Sequence, residues 1–134
     1  MAAKGLINKP TPKSLLTDLK GHAGMNAYEL IRPGKNGSLY LRLVMDEVEP
    51  GGKIEPHYHD LNPACDHGYY VISGEILACV GNKTEVVGPD TLIYCQSDVI
   101  HSIENVGKSP AKLLRLGAAA DGNSSGKSVF INQQ

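Results

Sequence analysis

The sequence predicts an all-β protein, an antiparallel barrel or sandwich, and three observations carry that expectation. Short apolar or alternating runs recur along most of the chain, separated by clusters of Gly, Pro, Asn, Asp and Ser. No segment sustains the 3.6-residue apolar period of a long helix. Fifteen glycines and eight prolines in 134 residues supply the turns that many short strands require.

Taken in order, residues 1–24 read as an N-terminal arm. Pro10 and Pro12 break its opening, and Ser14–Leu19 is too short for more than a turn or two of helix. Strands are expected near 27–32, 38–48, 54–59, 68–73, 75–80, 83–87, 91–95, 100–106 and 111–118. Turns separate them at 33–37, Pro50-Gly51-Gly52, Ser73-Gly74, Gly81-Asn82, Gly88-Pro89-Asp90 and 107–110. Gly81-Asn82 between two apolar runs is a hairpin signal, because glycine supplies the positive φ of a tight turn. Residues 25–118 thus form a single barrel domain, and 119–134 a tail. Its small polar stretch, 118–126, is expected to be mobile. Ser128–Asn132 is expected either to fray or to dock as an edge strand on this chain or on a partner.

Composition narrows the function classes. Thirteen basic against fourteen acidic residues give a net charge of −1 with no basic cluster, so nucleic acid is not an expected partner. No apolar stretch is long enough for a signal peptide or a membrane span. Cys65, Cys79 and Cys95 are odd in number and irregularly spaced, which fits reduced thiols in a cytoplasmic protein.

The histidines are the informative residues. His57 and His59 are two apart on an expected strand, so their side chains leave the same face. His67 heads the next strand and His101 another, so four of the five histidines fall within 45 residues in or beside strand signals. A closed barrel would converge them on one metal ion. His22, the fifth, reads as an ordinary core or surface residue.

Gly51, five residues, His57-Tyr58-His59 and then Gly74 resembles the first motif of the cupin superfamily: Gly, five residues, His-x-His, three or four residues, Glu, six residues, Gly. Counting back from Gly74 places His67 where the family has glutamate, after a longer gap of seven residues. The second motif, Pro-x-Gly-x-x-His-x-x-x-Asn, keeps His101 and Asn105 but has Gln96 and Asp98 for its Pro and Gly. The resemblance spans roughly residues 38–118. It implies an antiparallel double-sheet jelly-roll barrel holding one divalent transition-metal ion on His57, His59, His67 and His101.

Four neutral imidazoles would leave the ion its full charge and suit Fe, Ni, Zn, Mn or Cu rather than Mg or Ca. A six-coordinate ion would keep two positions for a chelating substrate, or for substrate and dioxygen. The resemblance therefore implies an enzyme acting on a small oxygen-rich molecule, with an oxygenase favoured over a non-redox cyclase, isomerase or lyase; small cupins include polyketide cyclases. A non-catalytic ligand-binding cupin and a storage protein are the rival classes. Pairing of two copies is expected, through the Lys4–Leu6 arm or the Val129–Ile131 segment.

Neighbouring residues carry finer expectations. Tyr69, two past His67, faces the cavity as a proton donor or as a hydrogen-bonded barrel aromatic. Leu39, Leu41 and Leu43 are expected to face the core, leaving Arg42 at the surface; the opposite choice would put Arg42 in the cavity as an anion-binding fork. Gln96 is a weak candidate to reach the metal. Cys65 reads as a loop residue before it reads as a soft ligand, and Cys79 as core.

Overall fold

The computed structural model describes residues 5–61, 64–119 and 128–131. It is an antiparallel jelly roll of nine strands: β1 His22–Ile31, β2 Leu41–His59, β3 Cys65–Ser73, β4 Ile76–Val80, β5 Lys83–Val87, β6 Thr91–Cys95, β7 His101–Asn105, β8 Ala111–Ala119 and β9 Ser128–Phe130. The only helical turn among the described residues is a 3-10 turn at Pro12–Ser14, shorter than the turn or two expected around Ser14–Leu19. The first strand begins at His22, inside the span read as an arm. The mobile stretch expected at 118–126 lies largely outside the described residues.

Two expected strands are one. Residues 38–48 and 54–59 merge into β2, and Pro50-Gly51-Gly52 is a bend within it rather than a turn between strands. Gly51 takes φ +82, and Gly52 lies so close to the Gly24 carbonyl of β1 that no Cβ would fit. β1 and β2 bend together there, with a register shift between Ala23 and Met25 opposite. Asn105 locks the bend: its Nδ2 donates to Val48 O (2.8 Å) and Ser109 O (2.9 Å), and its Oδ1 accepts from Gly107 N. One buried side chain thus ties β7, the following turn and β2.

The bend lets β2 serve two layers. Its first half pairs with β1 and β8, and β8 continues to β3 and β6; its second half pairs with β7, which continues to β4 and β5. β9 adds to the end of β2, Phe130 opposite His57 and Ser128 opposite His59, so the tail docks in cis. The β7 layer follows ordinary alternation, with Ile76, Ala78, Ile103 and Ile54 inside and polar neighbours such as Lys53, Glu55 and Glu104 outside.

The β8 layer reverses it. Arg42, Asp46, Arg115, His67 and Tyr69 point inward together with Val44, Val48, Leu113 and Val71. Outside run the cross-strand rows Leu43–Leu116–Gly68–Tyr94 and Met45–Leu114–Tyr70–Leu92. This overturns the placement of the Leu39–Leu43 face in the core. Leu39 and Leu41 are exposed, whereas the Arg42 side chain is only 20% exposed and its Nε donates to Glu29 Oε2 at 3.0 Å. Burial of apolar area drives folding, so the apolar residues of this run read as interior; here the interior of that layer houses charge instead.

Candidate metal centre

His57 and His59 leave the second half of β2 on one face, His67 opens β3 from the other layer, and His101 opens β7. β2 and β7 put His57 directly opposite His101 in register, with ring centroids 4.2 Å apart. His59 meets His67 across the barrel at 4.5 Å. All four are buried, and one nitrogen from each lies within 4.8 Å of every other. Ligands on opposite sides of an ion with bonds of about 2.1 Å sit about 4.2 Å apart, so a small contraction would close the set.

Hydrogen bonds fix which nitrogens are offered. His57 Nδ1 lies 2.8 Å from Glu55 O and His101 Nδ1 2.9 Å from Val99 O. A carbonyl only accepts, so both Nδ1 atoms carry the proton and both Nε2 atoms offer lone pairs. His59 reaches Ser128 Oγ through Nδ1 at 3.4 Å, and His67 reaches the Tyr69 hydroxyl through Nε2 at 3.1 Å. His59 Nε2, His67 Nδ1 and His101 Nε2 are buried without a partner among the described residues. Three orphaned ring nitrogens aimed at one point are costly unless an ion takes their lone pairs.

Electrostatics keeps the rings neutral. Burial, aided by its histidine neighbours, lowers the pKa of His57 to about 3 and, with help from His101 and Arg115, that of His59 to about 4. His67 is held well below its ordinary value, and His101 is also lowered, again chiefly by burial. Unprotonated imidazole is the form a transition metal binds. The residues present therefore fit one divalent ion of the first transition row, and the donor set contains no carboxylate.

Around the histidines the structure adds groups that the motifs do not specify. Arg115 and Asp46 form a bidentate pair at 2.9 and 2.6 Å, and Arg115 Nη1 lies 3.2 Å from His22 Nε2. The signal available for this pair is Asp46 on the same strand face as Val44 and Val48, and an arginine in the largely apolar run 111–119. Phe130 of β9 tilts over His57 at 4.8 Å and closes one wall; no spacing rule pointed to it. Tyr69 is inside, as alternation requires, and burial raises its pKa, keeping the phenol protonated.

Gln96 is exposed and does not reach the centre; Ser97 turns inward instead and donates to Cys65 O at 3.0 Å. Cys65 is buried against Ser97, outside the histidine set, with its thiol pKa raised by burial. That is the setting of an inert thiol, not a soft ligand. Cys79 is half-buried beside Thr84 rather than in the core, because Ile76 and Ala78 take the inward positions of β4.

The family described as Cupin domain matches residues 44–117, more than half of the chain and the span that holds all four histidines. The chain belongs to the cupin family. No curated protein sequence matches it. Among solved structures, this cupin is similar to the polyketide cyclase RemF from Streptomyces resistomycificus (TM-score 0.72, 19% identity, covering 96% of this chain and 88% of that one). It is also similar to a cupin-2 domain from Rhodospirillum rubrum (TM-score 0.71, 18% identity, 99% and 84% covered). A predicted oxalate decarboxylase from Thermotoga maritima matches at TM-score 0.68 and 19% identity, with 78% and 90% covered. At these identities the likenesses establish the fold. No helix among the described residues is long and apolar enough to cross a membrane.

Proposed function

We propose that this cupin is a metal-dependent enzyme of the cyclase or isomerase kind, acting on a small oxygen-rich molecule such as an enol, diketone, hydroxyketone or phenolate. The observation that carries the reading is the donor set: four buried neutral imidazoles, three with orphaned nitrogens, and no carboxylate among them. A divalent ion held there would act as a Lewis acid at nearly its full charge, drawing electron density from chelating substrate oxygens. An all-neutral ligand set also disfavours the higher oxidation state that redox cycling needs, which moves weight from the oxygenase expectation to the non-redox one. RemF, similar over nearly the whole chain, is a polyketide cyclase, and that supports the same direction.

The chain's own residues supply orientation and exclusion of water. The Glu55 and Val99 carbonyls hold the His57 and His101 rings in one tautomer. If His67 held the ion through Nδ1, its Nε2–H would donate to the Tyr69 oxygen, so we assign Tyr69 to positioning His67 rather than to protonating substrate. Phe130 shields the His57 ring from solvent. Three free thiols fit a reducing compartment, and we place the protein in the cytoplasm.

An oxygenase is the second reading, favoured by a donor count of four, which leaves a six-coordinate ion two positions. Elemental analysis of untagged protein beside a His57→Ala/His101→Ala variant tests the centre: near one equivalent is expected in the parent and almost none in the variant. Parent protein that stays metal-free after exposure to iron, nickel and zinc would leave only a ligand-binding barrel. Turnover that stops when dioxygen is removed would move the assignment to the oxygenase.

A further inference from the structure

The four site histidines differ in what anchors the ring nitrogen turned away from the centre. His57 Nδ1 and His101 Nδ1 donate to carbonyls two residues earlier, Glu55 O and Val99 O. His67 Nε2 meets the Tyr69 hydroxyl two residues later. Each of these partners comes from the histidine's own stretch of chain. His59 is the exception. Its Nδ1 lies 3.4 Å from Ser128 Oγ of β9, 69 residues further on. His59 Nε2 is one of the orphaned nitrogens. For Nε2 to offer its lone pair to an ion, Nδ1 must hold the proton, and that N–H then donates to Ser128 Oγ.

β9 brings a second contact to the same centre. Antiparallel pairing sets Ser128 opposite His59, Val129 opposite Tyr58 and Phe130 opposite His57. By alternation Ser128 and Phe130 share the face that carries the histidines, and Val129 takes the other. The Phe130 ring lies over the His57 ring at 4.8 Å, with 31° between their planes. Its seat is Gly21, at φ +74, where any Cβ would strike the phenyl ring. One short segment thus touches two of the four candidate ligands.

That segment is lightly held. At three residues β9 is the shortest of the described strands, and it pairs with β2 alone. One further backbone bond follows it, from Ile131 N to Pro56 O at 3.1 Å. A short edge strand of this kind opens locally far more readily than the barrel unfolds. When it leaves, His59 loses the hydroxyl that fixes its tautomer, and the His57 ring loses its cover.

We propose that β9 is a strap whose docking is coupled to occupancy of the metal centre, with Ser128 positioning the His59 ring and Phe130 the His57 ring. The inference rests on the metal centre proposed above and extends it to the C-terminal segment. The coupling is reciprocal: an ion that binds the strapped barrel more tightly holds the strap down by the same factor. About tenfold is the expected size, the lower end of what an outer partner of a metal ligand contributes.

Two measurements on the full chain, with zinc as the probe, test it. In competition with a chelator, Ser128→Ala is expected to bind zinc about tenfold more weakly than the parent, and Ser128→Thr to restore the affinity. Val129→Thr, on the outer face, should bind as the parent does, and Ser128→Ala/Phe130→Ala should lose more than Ser128→Ala. In amide hydrogen exchange on the parent, zinc should slow the Ile131 amide about tenfold. It should leave β5, an edge strand on β4 alone, unchanged. Ser128→Ala with parental zinc affinity overturns the proposal, as does Ile131 exchange that is the same with and without zinc. Variants that melt lower yet bind zinc normally would make β9 a structural edge strand only. A parent that takes up no metal overturns the centre itself, and this inference with it; a parent that binds zinc equally well whatever the state of β9 overturns this inference alone.

Discussion

The two layers of this barrel share a strand and obey opposite rules. The β7 layer hides Ile76, Ala78 and Ile103 beside His57, His59 and His101 and shows water a mostly polar face; the β8 layer hides a charged set, Arg42, Asp46 and Arg115, beside His67 and Tyr69 and shows leucine and tyrosine. The difference teaches that inward and apolar are separate properties. A layer that buries ion pairs turns those charged residues inward, where partners satisfy them. Its apolar residues then fall outside, since alternation leaves them nowhere else, and that face is left needing cover.

The largest effects are expected where the β8 layer buries charge. Removing one partner, by Asp46→Asn or Arg115→Met, leaves the other uncompensated inside the barrel and should cost about 3–5 kcal/mol in chemical denaturation. The double variant Asp46→Leu/Arg115→Met should recover much of that loss, because desolvation offsets most of what a buried pair contributes. A double variant as unstable as the sum of the singles would show that the pair does more than neutralise itself, and would weaken the description of this layer as a polar lining merely tolerated by the fold.

The metal centre sharpens the same contrast through pH. Well above pH 6.5, by about pH 8, the site histidines are neutral in both folded and unfolded chains, so their ionisation has no effect on stability. Below that, the unfolded chain takes up protons that the folded one refuses, because His57 and His59 are held near 3 and 4. Metal-free protein should therefore lose stability as pH falls, at up to 1.36 kcal/mol per unit for each histidine, or about 2 kcal/mol each by pH 5. Urea midpoints measured in chelator across pH 5–8 would check this. A flat profile would mean that the folded barrel accepts those protons.

Much of this was legible in residue order. His57, His59, His67 and His101 could be paired with known motif positions because strand alternation and glycine spacing are local properties. The β2 bend was not, since Pro50-Gly51-Gly52 reads alike as a turn or as a bend; what decides is Gly24, on another strand, packed against Gly52. The inward turn of Arg42 is hidden from a single strand for a related reason. Its direction depends on Asp46, Arg115 and Glu29 forming a charged interior, and pairings across the sheet are not visible along one strand. Phe130 was invisible because only tertiary docking of β9 gives it a role.

Tyr69 offers a smaller effect on the same inner face. Tyr69→Phe keeps the ring packing but removes the oxygen that accepts from His67 Nε2. Loss of such a supporting bond should weaken metal binding about tenfold, at the lower end of what outer-shell partners contribute. Competition with a chelator of known affinity would read it. Unchanged affinity would make Tyr69 a core aromatic whose hydroxyl is incidental, and would return the proton-donor reading to consideration.

The smallest effect is also the one that separates the outer faces. Leu92→Thr and Val86→Thr each replace a side chain more than half exposed in the single chain, one on each layer. In an isolated barrel both should change stability by no more than about 0.5 kcal/mol, because neither loses buried contacts. If the β8 layer is paired, folding of Leu92→Thr is coupled to weaker association. Its melting temperature should then fall below that of the wild type at high protein concentration and converge with it on dilution. Val86→Thr should track the wild type at every concentration. Identical concentration dependence for the two variants would mean that the apolar face of the β8 layer is borne in water after all.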